Sequence, residues 1–456
     1  MIPGRHHLIP LLLVGLLSAC SPLTPSATPS PTARPTRTEV VKVSPTATIR
    51  PTPVTPTPIP IPADMLRQMR QIESQVESLR GLTRSGPIKR RLLPASVMRE
   101  IISDGVASAY PPEQAGDDGR TLALFGLVPA DFDLELFYED LYREQTVGFY
   151  DPTDGIMYAI DGTGFRAPQR LNYAHEFVNL LQDQNWAAAG DPGFGSSGCD
   201  RSQDSCRAER ALLEGDAGLV EEQWLRTFAS AEQVNDLFSY YQTFDSPVFD
   251  GAPTALQERL LFPFEQGLEF VRWLERNGGW AAVDAAYEDP PRSSEQILHP
   301  YLYPADQPAE FAPLDIKPSV LGAGWRQLDQ GTLGEFALVQ VLAQSVDREV
   351  ASQAAEGWGG DVYQAFFDDN RGVGAWIAVQ SWDTIRDSQD ALLTWRQYGD
   401  ERFGPHEMNE ADYVWESEAG SARLARESNQ TLWIQTPSLA TAELLRSAVH
   451  FPAAKK

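Results

Sequence analysis

The chain has 456 residues, enough for more than one ordinary domain, and it carries 63 acidic against 37 basic side chains, a formal net charge of −26 at pH 7. A body this acidic repels nucleic-acid phosphates and anionic lipid headgroups, which excludes both as partners of its surface.

The first residues have the layout of a secretory signal peptide over residues 1–19. Arg5 precedes an apolar run from Leu8 to Leu17, and small residues precede Cys20. The run is too short to span a bilayer as a retained helix. Leu17-Ser18-Ala19-Cys20 resembles the lipobox of bacterial lipoproteins, which implies that Cys20 is diacylated and anchors the mature protein. The alternative is a secreted protein cleaved nearby, with a chance cysteine.

Residues 20–62 are predicted to be a linker. Ser21 to Pro62 is almost entirely Pro, Thr, Ser, Ala and Val, with no apolar face to bury, and this composition favours an extended, partly polyproline II tether. We therefore expect an exported body that begins near Ala63 and faces outside the cytoplasm. Its contact with the cell membrane or outer membrane is through the lipid anchor alone.

Helical spacing of apolar residues marks the segments that follow. Helices are predicted over Met65–Leu82, Pro94–Ala109, Leu122–Leu127 and Phe132–Glu144. Next, Thr146–Tyr150 and Ile156–Ile160 flank the turn sequence Asp-Pro-Thr-Asp-Gly, which predicts a β-hairpin.

The helix predicted over Arg170–Asn185 carries the sequence His175-Glu176-Phe177-Val178-Asn179. An H-E-x-x-H sequence would place two imidazoles one helical turn apart around a metal, with the glutamate beside them as general base. Asn179 supplies a neutral amide instead, which is a weak zinc ligand compared with imidazole.

A second long helix is predicted over Arg207–Phe228, and it contains Glu214 within Ala-Leu-Leu-Glu-Gly-Asp-Ala. Small residues one turn from Glu214 let this helix approach another closely, as a carboxylate reaching a metal would require. The alternative for Glu214 is an ion pair with Arg210 one turn back. Of the other acidic residues, Asp216 is expected to cap or bridge, and Asp183 to orient a ligand.

Two cysteines lie just before this helix. In an exported protein Cys199 and Cys206 are most simply a disulfide that closes a small loop, and the alternative is a contribution to a metal site.

These features together resemble a known family. The stretch from Gly148-Phe149-Tyr150-Asp151 through His175-Glu176 to Glu214-Gly215-Asp216-Ala217 is similar to the core of gluzincin metallopeptidases, and the body resembles exported bacterial zincin-like lipoproteins. The resemblance implies zinc as cofactor and a peptide or protein as substrate or partner. It also implies His175 and Glu214 as zinc ligands and Glu176 as the base that activates water.

Asn179 stands where the family has its second histidine ligand. A catalytic zinc needs three protein ligands, so the site is expected to be weakened or lost unless Asn179 coordinates through its oxygen. His299 is a second candidate, either as replacement ligand or as donor to an oxyanion. The alternative is a histidine that caps or packs in an irregular loop.

The rest of the chain is predicted to contain further helices and then an α+β module. The helices are Ala231–Thr243, Leu256–Asn277 and Gly334–Ala354, with a Pro-rich connection over Asp289–Pro318. The later strands are Trp376–Ser381, Tyr413–Glu416, Ala422–Arg426 and Thr431–Gln435, with helices at Ser388–Tyr398 and Leu439–Val449. Five tryptophans here are assigned to a packed core, with an aromatic binding surface as the alternative: Trp376, Trp382, Trp395, Trp415 and Trp433.

The predicted fold class is therefore α+β. A mainly helical zincin-like domain over residues 63–372, with a small hairpin or sheet before its motif helix, precedes a small α+β module over residues 373–456, a sheet with helices on one face. Two functions remain open. One is a zinc-dependent peptidase with a weakened metal site, and the other is a noncatalytic surface lipoprotein that binds peptides or envelope partners.

Overall fold

The computed structural model describes residues 59–109, 111–145, 148–152, 154–162, 164–186, 202–409 and 411–451. Cys20, Cys199 and nearly all of the predicted signal peptide and linker lie outside these ranges, so the lipid anchor and the Cys199–Cys206 disulfide stay predictions. Within the described ranges, no helix combines the length and the apolar composition needed to cross a membrane.

The fold is α+β, as predicted. A helical first part contains a small sheet, and a larger sheet follows it. The first elements are α1 (Ala63–Arg80), β1 (Lys89–Pro94), α2 (Ala95–Ala109), α3 (Pro112–Leu124), α4 (Leu134–Gln145), β2 (Gly148–Asp151) and β3 (Ile156–Asp161).

The predicted hairpin is confirmed, because β2 pairs antiparallel with β3. Strand β1 adds a third member by pairing parallel with β3 on its other side, which makes β2 an edge strand. The sequence of β1, Lys-Arg-Arg-Leu-Leu-Pro, lacks the alternation that would have predicted a strand.

Within the described residues, seven helices follow this sheet, and the first of them carries the motif. They are α5 (Ala167–Trp186), α6 (Gln203–Phe228), α7 (Ala231–Thr243), α8 (Pro247–Asp250), α9 (Thr254–Gly278), α10 (Trp280–Glu288) and α11 (Ser294–Leu298). Helix α6 does approach another helix closely near Glu214, but that helix is α9 and not the motif helix to which the prediction tied the approach. A Cβ on Gly215 would lie 2.1 Å from the carbonyl oxygen of Gly267, and a Cβ on Gly267 would lie 2.1 Å from that of Ala211.

The last part of the chain forms one antiparallel sheet. Its elements are β4 (Trp325–Gly331), α12 (Gly334–Leu342), α13 (Arg348–Ala355), β5 (Trp358–Asp368), β6 (Val373–Trp382), α14 (Ile385–Phe403), β7 (Glu407–Asn409), β8 (Asp412–Ser417), β9 (Gly420–Glu427), β10 (Gln430–Thr436) and α15 (Leu439–Ala448). The strand order is β4-β5-β6-β10-β9-β8-β7.

Two predictions about this region are corrected. The helix predicted over 334–354 is two helices, because Asp347 caps a new one by accepting a hydrogen bond from the backbone N–H of Glu349. The predicted module boundary at residue 373 falls inside the sheet, since β5 pairs with β6 along its whole length.

Helices cover both faces of this sheet, so the prediction of helices on one face is wrong. On β6, Trp376 packs on the face that contacts α14, whereas its neighbour Ile377 packs on the face that contacts α15. The five tryptophans are 0 to 1 % exposed, and Trp395 stacks on Trp433 with ring centroids 4.6 Å apart. These aromatics are core residues, as the sequence indicated.

Candidate functional site

The motif helix α5 lies against the edge strand β2. The backbone N–H of Tyr150 donates to Glu176 Oε2 at 2.9 Å, and the Tyr150 hydroxyl donates to Asp183 Oδ2 at 2.5 Å. Asp183 thus holds strand to helix and does not orient a ligand on the motif.

His175 is fully buried between two carboxylates of α6. Its Nε2 lies 3.2 Å from Glu214 Oε2, and its Nδ1 lies 3.1 Å from Glu221 Oε2. Burial acts to lower the pKa of His175, but hydrogen bonds to Glu214 and Glu221 outweigh it and raise the pKa well above 6.5. Each ring nitrogen thus faces a carboxylate, and this arrangement favours the protonated ring.

Glu221 is a member of the site that sequence reasoning missed. It follows Glu214 by seven residues, which is two helical turns, so both project from the same face of α6. This spacing was the available signal, although one more glutamate in a charged helix does not stand out. A carboxylate on the second ring nitrogen is also the usual partner of a metal-bound histidine.

Glu214 has two partners. Besides His175, its Oε1 accepts a hydrogen bond from Arg210 at 3.4 Å, so the ion pair considered as the alternative is present together with the histidine contact. The structure thus brings His175 and Glu214 together, as the resemblance implied.

Glu176 is 2 % exposed and accepts three hydrogen bonds. Besides Tyr150, the amides of Asn172 and Asn179 donate to it at 3.3 and 3.4 Å. Burial raises the pKa of Glu176 to about 7. A cavity of about 10 Å³ adjoins it, with room for about one water molecule.

The donors present do not complete a catalytic zinc site. His175 Nε2 and Glu214 Oε2 are 3.2 Å apart, close to the roughly 3.4 Å that separates two ligands of a tetrahedral zinc. A third protein ligand is needed, and the Asn179 amide nitrogen points at Glu176 instead. Among the described residues, His175 and Glu214 are the two imidazole or carboxylate donors placed to share one zinc, so the site is one protein ligand short.

His299 is not brought to the motif. Its Nε2 lies 3.0 Å from Glu335 Oε1 on α12, and this hydrogen bond raises the pKa of His299. The ring lines a separate pocket with Phe262 and Arg348. It is therefore neither a replacement ligand nor an oxyanion donor for the motif residues.

Asp216 is a bridging residue, as expected. It is fully buried and accepts hydrogen bonds from Arg80 Nε at 2.7 Å, from the Tyr287 hydroxyl at 2.7 Å and from Gln182 Nε2 at 3.3 Å. This carboxylate joins α1, α5, α6 and α10, and it fixes the helix that carries Glu214.

Comparison with known proteins bears on the large sheet. A family model described as a domain of unknown function (DUF8575) matches residues 322–446, which run from just before β4 into α15 and leave the motif helix outside. No curated protein and no solved structure matches the chain.

Proposed function

We propose that this chain is an exported, lipid-anchored, zincin-like protein whose zinc-peptidase site has become a buried ion-pair network. It acts as a noncatalytic binding protein for peptides or envelope partners. The observation that carries the proposal is the placement of His175, with one carboxylate on each ring nitrogen and, among the described residues, no group of three metal-binding side chains around it.

The network explains how the site persists without metal. Removing zinc from a histidine and a glutamate would leave both buried and unsatisfied, at a cost of several kcal/mol. Here the protonated imidazole supplies the positive charge, and Glu214 and Glu221 balance it. Arg210 adds a further cation beside Glu214.

The membrane-facing part of the proposal rests on the sequence. The lipobox-like Cys20 and the Pro/Thr-rich linker favour a tethered body, whose charge keeps it away from anionic lipid. The peptide or envelope partner rests on the resemblance to gluzincins. On the edge strand β2, the backbone N–H of Tyr150 already donates a hydrogen bond to Glu176. We therefore do not expect a bound peptide to pair with β2 through this N–H.

A second candidate function, a zinc-dependent peptidase with a weakened site, is favoured by one specific observation. Glu176 combines a pKa raised to about 7 with a cavity for about one water, which suits a general base.

Zinc retention and peptide hydrolysis by the purified full chain separate the two functions. The proposal predicts no bound zinc at micromolar free metal and the same background hydrolysis of casein for wild type and Glu176→Gln. Stoichiometric zinc, together with hydrolysis that Glu176→Gln abolishes, would instead establish the peptidase.

A further inference from the structure

Three carboxylates meet where the helical part contacts the large sheet. They belong to Glu295 in α11, to Asp306 in the loop that follows, and to Asp383 after β6. One ligand atom of each lies within 4.8 Å of the other two, and among the described residues this is the group of three such donors that could share an ion.

Glu295 is the buried member and points into the group. It is 2 % exposed, and its Oε1 has no hydrogen-bond partner. Burial raises the pKa of Glu295 to about 10, and the nearby carboxylates of Glu335, Asp383 and Asp306 act in the same direction. Glu335 also carries a buried oxygen, Oε2, without a hydrogen-bond partner. Buried polar groups ordinarily have hydrogen-bond partners, so these unpaired oxygens indicate a place where a cation could bind.

The backbone of β5 and of the loop after Asp306 lies close to the three carboxylates. A Cβ on Gly359 would lie 2.9 Å from Asp383 Oδ1, so a side chain there would press on this carboxylate. The Gly359 carbonyl accepts from the backbone N–H of Ala309 at 2.7 Å, which holds the loop after Asp306 against β5. The buried Gln296 side chain donates to the carbonyl of Asp306 and fixes the other end of this loop.

The donor set selects the class of ion. All three groups offer carboxylate oxygens, which suit hard cations. Ca²⁺ accepts several protein carboxylates in a flexible geometry, whereas Mg²⁺ demands near-ideal octahedral geometry, keeps several waters and is usually bound through only one or two carboxylates. The three carboxylates therefore favour the larger ion.

We propose that Glu295, Asp306 and Asp383 form a calcium site that ties the α11 loop to the large sheet. The ion neutralises the buried Glu295 carboxylate and joins residues outside the 322–446 segment to Asp383 within it. This site is separate from the motif helix and does not depend on the function proposed for it.

Thermal unfolding of the EDTA-treated full chain tests the site. Adding 5 mM CaCl₂ is expected to raise Tm by about 1 to 3 °C, given dissociation constants of about 0.1 to 1 mM for extracellular calcium modules and the large unfolding entropy of a chain this long. MgCl₂ at equal concentration is expected to give a clearly smaller rise. Calorimetric titration with calcium is expected to give one site per chain.

Variants assign the effect to the group. Glu295→Gln should abolish the calcium response, and Asp383→Asn, at an exposed position, should do the same. The matched control Glu418→Gln, in the exposed turn between β8 and β9, should keep the full response. Equal shifts with calcium and magnesium, or a full calcium shift in Glu295→Gln, would overturn the proposal, since both indicate general screening of an acidic protein.

Discussion

Replacing Asp216 by asparagine is expected to destabilise the protein because it removes the charge that balances a buried arginine. Asp216 and Arg80 are both fully buried, and Asp216 accepts three hydrogen bonds. Breaking one partner of a buried pair costs about 3 to 5 kcal/mol. Asparagine keeps one acceptor oxygen, and Asp284 remains 2.7 Å from Arg80 but is 42 % exposed and screened. We therefore expect a loss of roughly 2 to 4 kcal/mol.

Urea unfolding followed by far-UV circular dichroism measures this loss from the change in midpoint at constant slope. Asp64→Asn is the matched control, since it breaks an Asp–Arg pair whose side chains are about 70 % exposed, and it should cost less than about 1 kcal/mol. A cost for Asp216→Asn no larger than that of the control would refute the claim that this carboxylate organises the helices around the motif.

Two further predictions concern the motif helix and its neighbour. The pKa of His175 is raised in the folded state, so its stabilisation is complete below the unfolded value of about 6.5 and is lost as pH rises through the folded value. In urea unfolding, His175→Gln should therefore cost more at pH 6 than at pH 9, and an equal cost at both would show that the imidazolium network is absent. On α6, Gly215→Ala should cost about 1 to 3 kcal/mol or more because its Cβ meets the carbonyl of Gly267 at 2.1 Å. Gly218→Ala, whose nearest contact is 3.8 Å away, should be neutral or stabilising, and equal costs for the two variants would contradict the close crossing.

The elements around the motif were predictable because their local signals agree with the fold. Apolar spacing gave α5 and α6 within a few residues, and the Asp-Pro-Thr-Asp-Gly turn gave the hairpin. The contact of His175 with Glu214 followed from resemblance and not from periodicity, which says nothing about which helix faces meet.

What the sequence did not reveal depends on contacts between distant segments. Glu221 is recognisable as a site residue only once the packing of α6 against α5 is known. His299 bonds to Glu335, 36 residues later in the chain, and not to the motif residues. Strand β5 begins Trp-Gly-Gly-Asp, and its two glycines weaken the sequence pattern of a strand. The segment is a strand because it pairs with β6. The break before α13 had a local signal in Asp347, a helix N-cap that apolar periodicity alone overlooks.

Placing an imidazole at residue 179 tests the central claim most directly. The account predicts that Asn179→His supplies the third ligand beside His175 and Glu214 and raises zinc affinity at least about 100-fold over wild type, since losing even an outer-shell partner costs roughly 10- to 100-fold. Zinc titration by calorimetry measures the gain, with Asn185→His, an exposed position on the same helix, as the matched control. Tight zinc binding by the wild type, or an equal gain in Asn185→His, would contradict the conversion of a zinc site into an ion-pair network.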